Sequence, residues 1–184
     1  PSDAVRASAA SALGRFLFKC EIEELPPERG AEIAERLIDL INDERATVEL
    51  RRRALESAAF SSDERLHSLI ARAYDDPEAL IRISAIFAMG RSADESWSGT
   101  VRAEIRNPDP RFRFEAVRAA GELADRRAAP SLIALLAEAD AEIRSAAIWS
   151  LGQVGGPVAR QALQKLAASG GSAALRREAR EALA

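Results

Sequence analysis

Asp140-Ala141-Glu142-Ile143-Arg144-Ser145-Ala146-Ala147-Ile148-Trp149-Ser150-Leu151-Gly152 carries the phrase that decides the fold: an apolar residue before an Arg, Ala three residues after that Arg, and Gly eight after it. The phrase returns at Val5-Arg6…Ala9…Gly14, Ile81-Arg82…Ala85…Gly90 and Phe112-Arg113…Ala116…Gly121. Weaker copies, with Ala in the eighth place, stand at Leu50-Arg51…Ala54 and Leu175-Arg176…Ala179. From Arg51 onward the Arg recurs every 31 or 32 residues, whereas Arg6 and Arg51 are 45 apart. A fixed period of this size marks a solenoid of stacked units, whose usual work is holding partners.

Each unit reads as a helical hairpin. In Asn107-Pro108-Asp109-Pro110 the prolines stop one helix and open the next, and Asp109 can accept first-turn N–H groups. Asp76-Pro77-Glu78 and Ala139-Asp140-Ala141-Glu142 take the same part in neighbouring units. The Gly at the eighth place is expected to end the second helix in a left-handed conformation. First helices are expected over 31–41, 64–74, 129–137 and 158–167. The extra residues between Gly14 and Arg51 predict a longer helix before Pro26-Pro27.

With the Arg as position zero, positions −1, +3, +4 and +7 fall on one stripe of the second helix at 100° per residue. That stripe is the expected core: Ile81, Ala85, Ile86 and Met89; Phe112, Ala116, Val117 and Ala120; Ile143, Ala147, Ile148 and Leu151. Ala at +3 suits backbones that approach closely, so Leu in place of Ala116 or Ala147 should overpack the stack. In the last copy Arg180 stands at +4, a polar residue on the would-be core face, as a capping unit requires.

The recurring Arg6, Arg51, Arg82, Arg113, Arg144 and Arg176 sit at the edge of the stripe. They are read as a structural ladder whose guanidinium groups reach acidic residues in the breaks, such as Asp109 or Asp140. Positions +1, +2 and +5 lie nearly opposite the core and should face solvent. There Ile83, Phe87, Phe114 and Trp149 replace polar groups, with Arg52, Arg53, Arg118 and Glu178 around them. Ile83, Phe87, Phe114, Arg118 and Trp149 are therefore the candidate partner-binding residues. The alternative is that these side chains pack on one another or are covered.

Composition narrows the function. Of 184 residues 47% are hydrophobic but only 5% aromatic, which favours close-packed helices over a β-sandwich. A net charge of −3 argues against non-specific nucleic-acid or acidic-membrane binding. No stretch approaches the ~18 apolar residues of a membrane span, and no charged-then-apolar leader opens the chain, so a cytoplasmic protein is expected. Cys20 is the only cysteine and His67 the only histidine, which leaves no metal-ligand set and no Cys/His dyad. Cys20 is expected in the core and His67 at the surface. Gly155-Gly156-Pro157 lacks the lysine of a phosphate loop and reads as a hairpin connection. Carboxylate pairs such as Asp75-Asp76 fall in breaks, where capping is their expected work. No catalytic constellation emerges, so the expectation is no enzyme, no cofactor and no metal.

The stretch from Asp140 to Gly152 resembles the short HEAT-like repeats found in phycobilisome lyase subunits, D-x-x-x-[VI]-R-x-x-A-x-x-[AS]-L-G, with the Asp one residue nearer the Ile-Arg pair than in that pattern. Gln153-Val154-Gly155-Gly156 continues the likeness, which is strong from Asp76 to Leu166 and weak from Phe16 to Ile70. It implies an all-α, armadillo-like α-solenoid: one domain over 1–184, of five to six units with second helices starting near 5, 50, 81, 112, 143 and 175. The second helices would line a concave side where partners bind. The expected function is a scaffold or adaptor that binds a segment of a protein partner, without nucleic acid or membrane; homo-oligomer formation stays open. The resemblance also keeps open a subunit of a bilin lyase or a chromophore chaperone, and the Arg rows keep open a helical-repeat DNA-binding protein.

Overall fold

The computed structural model describes residues 2–169 and 171–184. Among them are eleven α-helices and three short 3-10 turns, and no strand. They form two compact units, Pro1–Ser92 and Ala93–Ala184.

The first unit holds α1 (Asp3–Glu21), α2 (Pro27–Asn42), α3 (Val48–Ala58), α4 (Leu66–Tyr74) and α5 (Ala79–Arg91). Its second helices form a row in which α1 packs on α3 and α3 on α5, while the first helices α2 and α4 pack behind α3 and α5. The extra length between the first two phrase copies is partly helix, because α1 runs on through Phe16-Leu17-Phe18 to Glu21. Leu17 and Cys20 are buried in it and His67 on α4 is exposed.

The second unit holds α6 (Ser98–Glu104), α7 (Pro110–Glu122), α8 (Ala129–Ala134), α9 (Ala141–Val154), α10 (Gly156–Ser169) and α11 (Ala173–Glu181). Here α7, α9 and α11 make the row of second helices, with α6, α8 and α10 as their hairpin partners. The expected helix over 129–137 is broken: α8 ends at Ala134 and residues 135–137 tighten into a 3-10 turn.

The breaks work as their sequence indicates. Asp109 accepts from the Arg111 amide with Pro110 in the first turn of α7, and Asp140 accepts from Glu142 and Ile143 at the start of α9. Thr47 and Ser172 cap α3 and α11 in the same way. Asp76 accepts from the Glu78 amide before α5. The core stripe is dry: Ile81, Ala85, Ile86 and Met89, and likewise Ile143, Ala147, Ile148 and Leu151, are all 3% exposed or less. At the last copy Arg180 points outward and is exposed, in contrast to its buried counterparts.

Two expectations fail for a common reason. The phrase glycines do not end the second helices. Gly121 and Gly152 lie inside α7 and α9, and the left-handed residues come three places later, at Ala93 (φ 53), Ala124 (φ 49) and Gly155 (φ 61). After α7 the Asp125 amide returns to the Ala120 carbonyl around Ala124, the bond of a Schellman ending. What Gly121 provides is closeness. A Cβ there would stand 2.7 Å from Ser150 Oγ, 2.8 Å from the Trp149 ring and 2.9 Å from Ser150 Cα; at Gly152 it would stand 2.7 Å from the Ala182 carbonyl. A second helix in a row is thus pressed on both flanks by its neighbours as well as from behind. The same pressure buries two residues expected to face solvent, Ser84 and Ala146 at +2, which are 1% and 9% exposed; it also buries the +6 residues Ala88, Ala119 and Ser150, at 1% or less. Ser150 donates its hydroxyl to the Val117 carbonyl of the preceding second helix at 2.8 Å.

The recurring Arg also takes a different partner from the one expected. Arg82 donates to the carbonyls of Asp76 (2.7 Å) and Pro77 (2.8 Å), Arg113 to those of Asn107 and Pro108 (both 3.0 Å), Arg144 to that of Glu138 (2.6 Å) and Arg176 to that of Gly171 (2.7 Å). Each guanidinium therefore staples its helix to the break before it. The backbone carbonyls of the break are acceptors that a guanidinium can satisfy as it would a carboxylate. Asp109 meets Arg111 instead, and Asp140 is occupied as a cap. Arg6, with Asp3, and Arg51, with Asp76 of the next break, pair with carboxylates as expected; Arg51 also donates to the Ile41 carbonyl.

One ion cluster ties the start of α4 to α2: Arg65 bonds Glu35 at 2.6 Å and Asp63 at 2.7 and 2.9 Å. Hydrogen bonds from Arg65 hold both carboxyls below their ordinary range and raise the Arg65 value in return. A carboxyl depressed in the folded state stabilises it above the unfolded value and loses that contribution as pH falls through the folded one. Thermal melts between pH 7 and 3 should therefore show an acid loss that begins below about pH 4. In Arg65→Gln the part contributed by these two carboxyls disappears, so that the melts of variant and wild type converge toward pH 3.

Candidate functional site

The face left to solvent by a second helix squeezed on three sides is narrow. It comprises positions +1, +5 and +9, spaced four apart along one line of the helix. In the first unit this line reads Arg52 and Glu56 on α3, continued by Phe60 in the turn just after it, and Ile83, Phe87 and Arg91 on α5.

Its polar end is a closed network. Arg52 bonds Glu49 at 2.6 Å and Glu56 at 2.8 Å, Arg53 bonds the other oxygens of the same two carboxylates, and Ser84 donates to Glu56 at 2.6 Å. Partial burial pushes against the Glu49 charge, yet hydrogen bonds from Arg52 and Arg53 hold its carboxyl below the ordinary value. The network fixes α3 against α5 and leaves little free charge. Its aromatic end is more open. The Arg91 guanidinium lies 5.3 Å from the Phe60 ring and 5.6 Å from the Phe87 ring, and Phe18 meets Phe60 edge-on at 6.2 Å. The guanidinium stacks over both rings and ties the end of α5 to the residues that follow α3. Ile83 and Phe87 are half-buried.

In the second unit the line reads Phe114, Arg118 and Glu122 on α7, Ser145, Trp149 and Gln153 on α9, and Arg177 and Glu181 on α11. Arg118 stands 5.9 Å over the Trp149 ring and is held from behind by Glu122 at 3.3 Å. Trp149 is 39% exposed, although part of its ring covers the space at Gly121. Phe114 is half-buried. The structure thus joins Arg118 with Trp149 in one unit and sets Ile83 and Phe87 together on α5 in the other.

Phe60, Arg91 and Glu122 are missing from the sequence reading. All three stand at +9, and a helix taken to stop at the Gly of +8 leaves that position out. Their signal was the four-residue spacing from +5.

A recess of about 810 Å³ at the far end of α1 is lined by Cys20, Glu21, Glu23, Glu24, Leu25, Pro26 and Gly30 among others. Several of its acids are engaged: Glu21 accepts from Ser62, Glu24 pairs with Lys19, and Asp63 with Arg65. Among the described residues no group of three or more His, Cys, Asp or Glu side chains is placed to hold a metal. None of the described helices is long and apolar enough to cross a membrane.

Stacked hairpins with rows of second helices define a helical-repeat protein of the all-α solenoid class. More particularly, residues 98–184 match the family model described as HEAT repeats. No curated protein matches it. Its fold is similar to that of the complex of CpcE and CpcF of phycocyanin lyase from Nostoc sp. PCC7120, with a TM-score of 0.62 and 19% identity over 98% of this chain and 70% of that one. It is also similar to an engineered protein (TM-score 0.60, 20% identity, 100% and 90% of the two chains) and to a designed armadillo repeat protein (0.56, 18%, 100% and 94%).

Proposed function

We propose that the chain is a non-catalytic adaptor that binds a segment of a partner protein on the +1/+5/+9 lines of its second helices. The observation that carries this reading is the Arg118–Trp149 pair. A large ring left 39% exposed beneath a guanidinium, on the face that α9 leaves to solvent, is the kind of anchor that protein interfaces use. Arg91 over Phe60 and Phe87 supports the reading from the first unit, and Ile83 and Phe114 extend the two surfaces. The stapling Arg side chains give no support to a DNA-binding role, because they donate to backbone carbonyls.

Changing Phe87 and Phe114 together to Ser should weaken partner capture at least tenfold, the effect of losing about 1.4 kcal/mol at an interface anchor, while helical content and melting stay near wild type. Capture from the source cell followed by a binding titration of the protein recovered checks this. Unfolding of the double variant, or undiminished binding, overturns the assignment.

The likeness to the phycocyanin lyase complex favours a second reading, a lyase subunit or chaperone for a linear tetrapyrrole. Incubation with bilin should then shift the visible absorption band, and an unchanged spectrum removes it.

A further inference from the structure

The solvent-facing line of the second unit carries an excess of hydrogen-bond donors. The Trp149 ring turns its Cζ3 edge to Gly121, where a Cβ would stand 2.8 Å away, so the Nε1 corner lies on the other side of the indole. Among the described residues none accepts from that N–H, and none bonds the Ser145 hydroxyl or the Gln153 amide, one turn to either side of it on α9. The Arg118 guanidinium gives one N–H to Glu122 and has others to offer. Acceptors are scarcer. The Glu122 side chain is 11% exposed beneath Arg118, Glu181 on α11 pairs with Arg177 at 3.6 Å, and Glu178 turns one oxygen inward, closed to solvent.

Resting on the adaptor reading above, we propose that the line on α7 and α9 takes a proline-rich segment of its partner, held in the polyproline II conformation. Hydrogen-bond complementarity selects that occupant. A helical partner brings no free carbonyls except at its end, because its backbone acceptors are engaged within it. A strand-like partner brings an N–H for every carbonyl, and this surface has few acceptors to meet them. Polyproline II leaves its carbonyls free, and proline has no N–H to satisfy. Trp149 Nε1, Gln153 and Arg118 can donate to those carbonyls, while pyrrolidine rings pack on the exposed indole and on half-buried Phe114 beside it. A chain already stiff before binding also loses little conformational freedom on docking. In the first unit the polar end of the line is a closed network, so the proposal is confined to the second.

The test uses the whole chain with its nitrogens isotope-labelled for NMR, so that the indole N–H signals of Trp149 and buried Trp97 are followed separately. One probe is a Pro-Pro-Leu repeat peptide, and the other is a stapled amphipathic helix with a Leu face and Gln elsewhere. The proline probe should move the Trp149 signal downfield, as a newly made hydrogen bond does, and leave that of Trp97 in place. The helix probe should bind about tenfold more weakly. Trp149→Phe keeps an aromatic ring but removes the N–H, and Gln153→Leu changes an exposed side chain. Each should weaken the proline probe about fivefold, the effect of one neutral hydrogen bond, and Gln153→Leu should melt as wild type does. A helix probe that binds as tightly as the proline probe, proline binding that both variants leave intact, or no proline binding at all, each overturns the proposal. The first of these outcomes still leaves an adaptor, whereas undiminished capture of the cellular partner by Phe87→Ser with Phe114→Ser removes the adaptor reading itself.

Discussion

Gly121→Val should lower the stability of the second unit by about 3 kcal/mol, the upper part of the range for overpacking a dense interior. Helix propensity alone favours replacing Gly by a residue with a side chain, with Ala gaining about 1 kcal/mol in a helix interior. Packing reverses the sign. The first carbon of any side chain at 121 would stand 2.9 Å from Ser150 Cα and 2.8 Å from the Trp149 ring. The backbone of α9 cannot step aside without disturbing Ile148 and Leu151, which are 1% and 0% exposed. Gly99 on α6 supplies the contrast, because a Cβ there meets nothing within 4 Å. Gly99→Ala should raise stability by about 0.5 kcal/mol. Urea titrations of the two variants and wild type check the pair; a Gly121→Val chain as stable as wild type would mean that α7 and α9 are not held at this distance.

Removing the staple should cost nearly as much. In Arg113→Met the stem still packs, but the carbonyls of Asn107 and Pro108 lose a cationic donor, a loss of about 2 kcal/mol for hydrogen bonds to a charged group. Arg113→Lys should recover only part, because both bonds come from the terminal Nη1 of a side chain longer than that of Lys. Arg111→Met, which breaks an exposed pair with Asp109 on the same turn, should leave the melt nearly unchanged. If Arg113→Met and Arg111→Met melt alike, the carbonyl bonds contribute nothing and the Arg of the phrase needs another explanation.

The hairpins were legible because their signals are local. Asp109-Pro110 names a helix start from within four residues, and the spacing of Ile143, Ala147, Ile148 and Leu151 names a buried face from within one helix. What a helix meets on its flanks is not written in that helix. Gly121 looks like a terminator until α9 is seen 2.9 Å from where its Cβ would be, and Ser84 and Ala146 look like surface residues until a second neighbour closes over them. The same gap decided the site. Phe87, Phe114 and Trp149 were visible as apolar residues in a polar row, whereas Arg91 and Glu122 became visible only once α5 and α7 were known to continue past +8, and Phe60 only once the turn after α3 was known to carry the line on. Carboxylate partners were foreseen rightly for Arg51, which meets Asp76, but at Arg113 and Arg144 the acceptors are uncharged carbonyls of the breaks, which no sequence pattern displays.

The staples also divide the molecule mechanically. Within a hairpin, Arg113 and Arg144 bind their helices to the preceding break through directional bonds that resist stretching. Between the second helices α7 and α9 the links are close contact at Gly121, the Arg118 guanidinium over the Trp149 ring and a hydroxyl bond from Ser150 to Val117. A pulling force on the second unit should therefore part hairpin from hairpin before any hairpin opens, so that extension proceeds in steps of one repeat and each released piece keeps its helices.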